Sequence, residues 1–331
     1  MASPVSSISS GTWREAMRDY RTTFLALLPL IVLAALIGVV GAWDATFLSA
    51  SNLLSVASDT MTLFLMASGV TIVIIIGGID LSVQTVASMT SCIVAAYLPK
   101  WGAAALPAAL FAGALAGLIG GLASTRLRIP SFIATLAVSG VVTSAGYWFS
   151  GTRSINIPGE LSNRYLFWAV GTTLGVPREV WVGLVALAAL SFALDLTPFG
   201  RRVRAIGSQE RAAIAAGLNV DRVKIIAFTL SGLMAGLAGV VMSARLGSGS
   251  PVLANEFLLP AIACIIVGGT SITGGVGSIW RTFVGALILE VVRIGMTYMG
   301  VTVFAQQIVF GFILVAAVAV TMDRRKVLIV K

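Results

Sequence analysis

With 331 residues, 58% of them hydrophobic and only 11% charged, the chain carries more apolar surface than a soluble globule of its length could hide. The net charge of +9 does not point to nucleic acid, because Lys and Arg sit in short loops between apolar runs, the pattern of a membrane protein. Histidine is absent, which removes the usual metal ligand, proton relay and general base together.

Residues 1–23 are polar and basic and read as a cytoplasmic N-terminal segment. The run from Phe24 to Trp43 is too long for a signal-peptide core and lacks a convincing cleavage site, so it reads as a retained first span. A helix crossing about 30 Å of hydrocarbon needs about 20 residues. Ten candidate spans follow: 24–43, 52–77, 82–98, 103–124, 131–150, 179–196, 223–244, 257–268, 280–298 and 303–321. The expected fold is all-α, a polytopic helical membrane protein with about ten transmembrane helices. Its transmembrane domain covers 24–322, and residues 323–331 form a tail. The eighth run is too short to cross alone. It ends in VGGTSITGGVG, which predicts a break inside the bilayer, buried against protein or a water-filled cavity.

Placing the N terminus inside assigns 16 Lys and Arg residues to the inner side and 6 to the outer. Both termini are then cytoplasmic. Residues 151–178, mixed polar and aromatic, form the longest outer loop. Two segments echo each other, IVIIIGGIDLSV and CIIVGGTSITGG. They read either as traces of a duplicated half or as Gly pairs that simply end helices. Cys92 and Cys264 fall inside apolar runs and read as small core residues.

Ionisable residues within spans are functional candidates. Asp59 stands in the second run, while Glu290 and Arg293, three apart in the ninth, are expected to neutralise each other on one helix face. Asp80, before LSV, reads as a helix N-cap.

At the centre of the chain, within a loop over 197–224, lies RRVRAIGSQERAAIAAGLNVDR. Ser208 is an expected N-cap, Glu210 suits the first-turn dipole, and Gly217 is a natural C-terminal stop. Ala212, Ala213, Ala215 and Ala216 are strong helix formers. The predicted helix, about ten residues and ~15 Å, is far too short to span. Ala212, Ala215 and Ala216 share one smooth face. An ordinary connector is the plain alternative.

FGRRVRAIGSQERAAIAAGLNVDRVKIIAFTLSGLMAGLAG resembles the cytoplasmic loop of bacterial ABC importer permeases of the ribose/xylose type. GGIDLSV, IPSFIATLAVSG, IIVGGTSITGGVGSIWRTFVGALILEVV and FAQQIVFGFILVAAVAV resemble that family's recurring segments in the same order. The chain departs from the pattern at Gln84, Pro260 and Arg281. The resemblance implies a coupling helix, over Ser208, Gln209, Glu210, Arg211, Ala212, Ala213, Ala215, Ala216 and Gly217, that docks on an ATPase subunit. It implies two permeases, identical or paralogous, two ATPase subunits and an extracytoplasmic binding protein that supplies selectivity, in the bacterial inner membrane. The solute would be a sugar or similar small polar molecule. Asn52, Ser82, Thr135, Ser139 and Gln306 are the expected lining of the pathway, with Asp80 beside them.

No G-x-x-x-x-G-K-[ST] occurs, so ATP and Mg are expected on a partner ATPase and no cofactor or metal on this chain. No nucleophile can pair with a histidine, which argues against an intramembrane enzyme of the usual kind. The alternatives are an ion-coupled secondary transporter, for which Asp59 and Glu290 are the best carboxylates, and a passive channel.

Overall fold

The computed structural model describes residues 28–321. The segment 1–23, the first four residues of the first run and the tail 323–331 lie outside the described residues. Every one of the ten apolar runs is helical over its described part. They are α1 (Leu28–Trp43), α2 (Ala50–Ile75), α3 (Val83–Trp101), α4 (Ala105–Arg126), α5 (Ser131–Ser150), α7 (Arg178–Asp195), α10 (Val220–Leu246), α11 (Leu258–Val267), α12 (Ile279–Tyr298) and α13 (Val303–Thr321). Three further helices join them: α6 (Gly159–Tyr165) in the long loop, then α8 (Pro198–Ser208) and α9 (Glu210–Ala215) in the central segment.

Fewer stretches cross a membrane by length and apolarity alone. They are Ala50–Ile75, Val83–Arg126, Ser131–Ser150 and Val220–Leu246, with a fifth if α7 and α8, bent by 68°, count as one. Val83–Arg126 is a hairpin of two helices, since Thr90 of α3 and Gly113 of α4 both lie against Gly236 of α10. α12 falls outside that set because it carries Arg281, Glu290 and Arg293.

α2 is the central helix. It is buried on every face from Thr60 to Ile75, as a helix apolar all round must be, and it packs on α7, α10, α11 and α12. α4 meets α10 through small residues. A Cβ at Gly117 would overlap the Phe228 carbonyl, and one at Gly232 would overlap the Gly113 carbonyl. Glycines four apart let two backbones touch, which suits association where lipid removes the usual hydrophobic drive.

The all-α expectation holds apart from two small ribbons. β1 (Ile155–Asn156) pairs antiparallel with β4 (Ser248–Gly249), and β2 (Thr172–Thr173) with β3 (Val176–Pro177). The long loop is therefore structured by a helical turn and two strand pairs.

The backbone is irregular on both sides of α11, not only after it as predicted. Residues 250–257 run between β4 and α11 without regular pairing, partly inside the bundle. Ser91 and Ser88 of α3 accept the N–H groups of Ser250 (3.2 Å) and Ala254 (3.0 Å). Side-chain hydroxyls thus satisfy backbone groups that no helix serves at this depth.

The two Gly-pair segments both end a helix with a left-handed glycine, but in opposite order. After α2 it is the first of the pair, Gly77 (φ +88°), and after α11 the second, Gly269 (φ +87°). The other glycine permits close approach: a Cβ on Gly268 would overlap the Arg281 carbonyl. The echo is out of register, which favours the reading that Gly pairs end helices.

Candidate functional site

Three candidate regions emerge, one within the bundle at each end and one projecting from it. At the first end, α2 stops at Gly77 and the chain turns through Asp80 into α3. Asp80 is fully buried. Its Oδ1 accepts from the Ser82 N–H (2.9 Å) and hydroxyl (2.7 Å), and its Oδ2 from the Ser231 hydroxyl of α10 (2.7 Å). The expected N-cap role is corrected. Ser82 holds the N-cap position without a side-chain capping bond, and Asp80, two residues earlier, closes an Asx-type turn and ties it to α10. Thr135 of α5 accepts the Leu81 N–H (3.1 Å), and Ser131 accepts that of Ile79 (3.0 Å).

The expected lining residues do not form one site. Asp80, Ser82 and Thr135 belong to this buried knot, whose bonds run among themselves, to Ser231 and to backbone. Ser139 lies one turn further along α5, half-buried. Asn52 stands at the other end of α2, where its Nδ2 donates to the Phe47 carbonyl (2.9 Å). Gln306 is also remote from the knot. It donates to the Thr297 hydroxyl and the Val301 carbonyl, both at 3.1 Å, and borders a cavity of about 330 Å³.

Toward that second end lies an ionic network. Glu290 and Arg293 pair as expected along α12. Arg293 also donates to Asp59 of α2 (2.6 Å). Asp59 further pairs with Arg245 in the last turn of α10, and Arg245 stands 3.7 Å from Glu179 in the first turn of α7. Five charges thus join α2, α7, α10 and α12. Arg245 and Glu179 were missed from sequence because each reads as a loop-flanking charge at the end of its own run.

The central segment projects from the first end. Its helix is shorter than predicted, six residues and about 9 Å. Ser208 is not its N-cap; it ends α8, and extended Gln209 takes that position without a side-chain bond. Glu210 opens the helix and pairs with Lys224 of α10 (2.7 Å). Gly217, at φ +80°, closes it in a Schellman arrangement, with Gly217 N–H on Ile214 and Leu218 N–H on Ala213. Ala213, expected among the coupling residues, turns inward and is buried, while the face expected for Ala212, Ala215 and Ala216 is exposed. Gln209, Arg211, Ala212, Ala215 and Ala216 are exposed. So is Ile214, at 58%, an apolar residue the sequence reading passed over.

Residues 52–318 match the family model described as the branched-chain amino acid transport system / permease component. The chain belongs to this permease family. It is 36% identical over 302 residues to the ribose import permease of Escherichia coli, spanning 90% of this chain and 93% of that protein. It is 34% identical over 255 residues to the L-arabinose ABC transporter permease of Azospirillum brasilense, spanning 76% and 74%. With the fructose import permease of Rhizobium meliloti the identity is 32% over 325 residues, spanning 96% and 90%. No solved structure shows a significant match to the chain. This permease is a membrane subunit that forms the translocation pathway of an ABC importer, a family in which ATP hydrolysis belongs to a separate subunit.

Proposed function

We propose that this permease imports a sugar, a pentose or hexose delivered by an extracytoplasmic binding protein, through the bacterial inner membrane. It is not itself an enzyme and binds no cofactor or metal. ATP and Mg act on a partner ATPase, and two permeases, identical or paralogous, complete the path. The chain makes about ten crossings with both termini in the cytoplasm. The bundle end that carries α8 and α9 also carries Arg126, Arg128, Arg201, Arg202, Arg204, Arg211, Arg222, Lys224 and Arg281, which supports an inward-facing assignment for it. The relatives named for ribose, L-arabinose and fructose support the solute class.

The observation that carries the docking part of this reading is α9 itself. It is short, exposed on its alanine face, closed by a Schellman turn and pinned to α10 by Glu210 and Lys224. A rigid water-facing helix with small side chains suits close approach by another protein. The test is uptake of D-ribose, L-arabinose and D-fructose by vesicles that hold this permease with its ATPase and binding protein. Uptake that needs ATP and survives collapse of ion gradients is expected. Uptake abolished by an ionophore and indifferent to ATP would replace this reading with ion-coupled secondary transport.

A further inference from the structure

α7 and α10 each pack on α2, and between the two runs a groove of about 570 Å³. Trp181, Val185 and Ala189 of α7 line it with Met234 and Leu237 of α10. Val185 is 69% exposed, so the groove opens on the outside of the bundle. Ala186 and Ala189 supply too little bulk to fill it. Along α7 the lining runs from Arg178 to Ala189. That stretch is about 16 Å at 1.5 Å per residue, half of the ~30 Å hydrocarbon core. The inward assignment of the basic end puts Arg178 at the outer surface. The groove then reaches from headgroup level to the bilayer midplane, the reach of one leaflet.

Arg178 stands half-buried at the outer end of the groove. Its Nε donates to the Thr173 hydroxyl (3.0 Å), and its Nη1 to the carbonyls of Phe167 (2.6 Å) and Val170 (3.2 Å). Those bonds fix the guanidinium plane and bring no negative charge. Among the described residues no carboxylate pairs with it, and neighbouring Glu179 stands by Arg245 instead. A guanidinium carries five N–H groups, and the two on Nη2 have no protein acceptor among the described residues. Trp168 and Trp181 border the same groove, and Trp favours headgroup level. The cavity of about 540 Å³ beside α4 and α5 differs, with apolar walls throughout and no cation.

We propose that this groove seats one phospholipid of the outer leaflet, with its phosphate on Arg178 and an acyl chain between α7 and α10. A phosphate oxygen accepts from the free Nη2 hydrogens in a charge-assisted bond, roughly twice as strong as a neutral one. The acyl chain gains van der Waals contact along a preformed gap, since lipid offers no hydrophobic drive. The groove runs down the side of the bundle within the hydrocarbon, where a water-soluble partner does not reach. A lipid held there braces α7 against α10 beneath the outer loop.

The experiment strips the complete importer of lipid in detergent and titrates it with phosphatidylglycerol. Native mass spectrometry counts the lipid bound per permease. The parent is expected to hold one tightly. Arg178→Gln is expected to weaken that binding about tenfold, for the loss of one charge-assisted hydrogen bond. Ala189→Trp fills the groove from an exposed position, is expected to weaken it as much, and serves if Arg178→Gln fails to insert. Leu184→Trp adds the same bulk to α7 outside the groove and is expected to bind as the parent does. Parental binding by both Arg178→Gln and Ala189→Trp would make the lipid unsorted solvent and overturn the site. Binding lost in Arg178→Gln, kept in Ala189→Trp and displaced by sn-glycerol 3-phosphate would give the arginine to a soluble phosphate and overturn the lipid. Unchanged lipid with weaker capture of the binding protein by Arg178→Gln would assign the arginine to that protein and overturn it too.

Discussion

Gly207 of α8 lies so close to the carbonyl of Ile75, the last residue of α2, that a Cβ at position 207 would overlap it. The same oxygen accepts the Gly275 N–H at 2.8 Å. The segment leading to α9, the core helix α2 and the loop after α11 therefore meet backbone to backbone, with no side chain to absorb movement. From that junction α2 runs unbroken to Asp59, about 24 Å away at 1.5 Å per residue. α2 thus joins this junction and the ionic network as one continuous helix.

Gly207→Ala is expected to lower thermal stability in detergent by about 1–3 kcal/mol, the range for overpacking a tight contact. Gly140 of α5 is the control, because a Cβ there meets nothing within 4 Å. Gly140→Ala should be neutral or gain up to about 1 kcal/mol from helix propensity. Equal melting of Gly207→Ala and the parent would mean the junction yields freely.

At Asp80 three donors converge on one buried carboxylate. Asp80→Ala strands them, at about 1–3 kcal/mol for each unsatisfied group. Asp80→Asn keeps an acceptor for Ser82, and its amide can donate to the Ser231 hydroxyl, so most of the folded protein should return. Asp80→Ser retains a turn-forming hydroxyl but is too short to serve both Ser82 and Ser231, and should rescue less. The measurement is uptake at matched membrane expression. Three equally inactive variants would assign the role to the negative charge rather than to the turn.

Arg293→Gln and Glu290→Gln should not be equivalent. Glu290 is 2% exposed and Arg293 is its ion partner, whereas Arg293 also holds Asp59. Arg293→Gln leaves a buried carboxylate uncompensated, for which about 3–5 kcal/mol is the usual loss. Glu290→Gln leaves the arginine one acid and should cost less. The double replacement should recover much of the deficit, because Asp59 still has Arg245. Monodisperse yield on size exclusion separates these cases, and a double variant no better than Arg293→Gln would contradict the pairing.

The helices were legible because an apolar run in lipid has few alternatives; α5 occupies 131–150, the predicted range. The Glu290–Arg293 pair was legible because three residues along one helix is a local relation. Its extension to Asp59, Arg245 and Glu179 depends on how four helices are rotated against each other, which no local pattern encodes. Ser208 was misread for a related reason. Val203 and Ile206 form the buried face of α8, which runs through the serine that would otherwise cap the next helix. The lining set scattered because a hydroxyl's residue type does not say whether backbone already satisfies it. Thr135 is satisfied that way and Thr62 is not.

The exposed face of α9 gives the most direct test of docking. Ala212 and Ala216 lie outside the bundle and Ala213 faces in. Ala212→Trp or Ala216→Trp should leave insertion and thermal stability unchanged, since neither side chain enters the core. Each should prevent close approach of the ATPase, so the amount co-purifying with the permease should fall, and uptake with it. Ala213→Trp should behave differently, reducing folded permease itself through overpacking. Glu210→Gln loses an exposed pair with Lys224, for which about 0–1 kcal/mol is typical, so its effect should be smaller than that of added bulk. Ile214→Ser tests the apolar residue beside the alanines, and weaker ATPase recovery is expected with no change in melting. Full ATPase recovery and normal uptake with both exposed-face tryptophans would make α9 a connector, and the contact with the ATPase would have to lie elsewhere on the basic end.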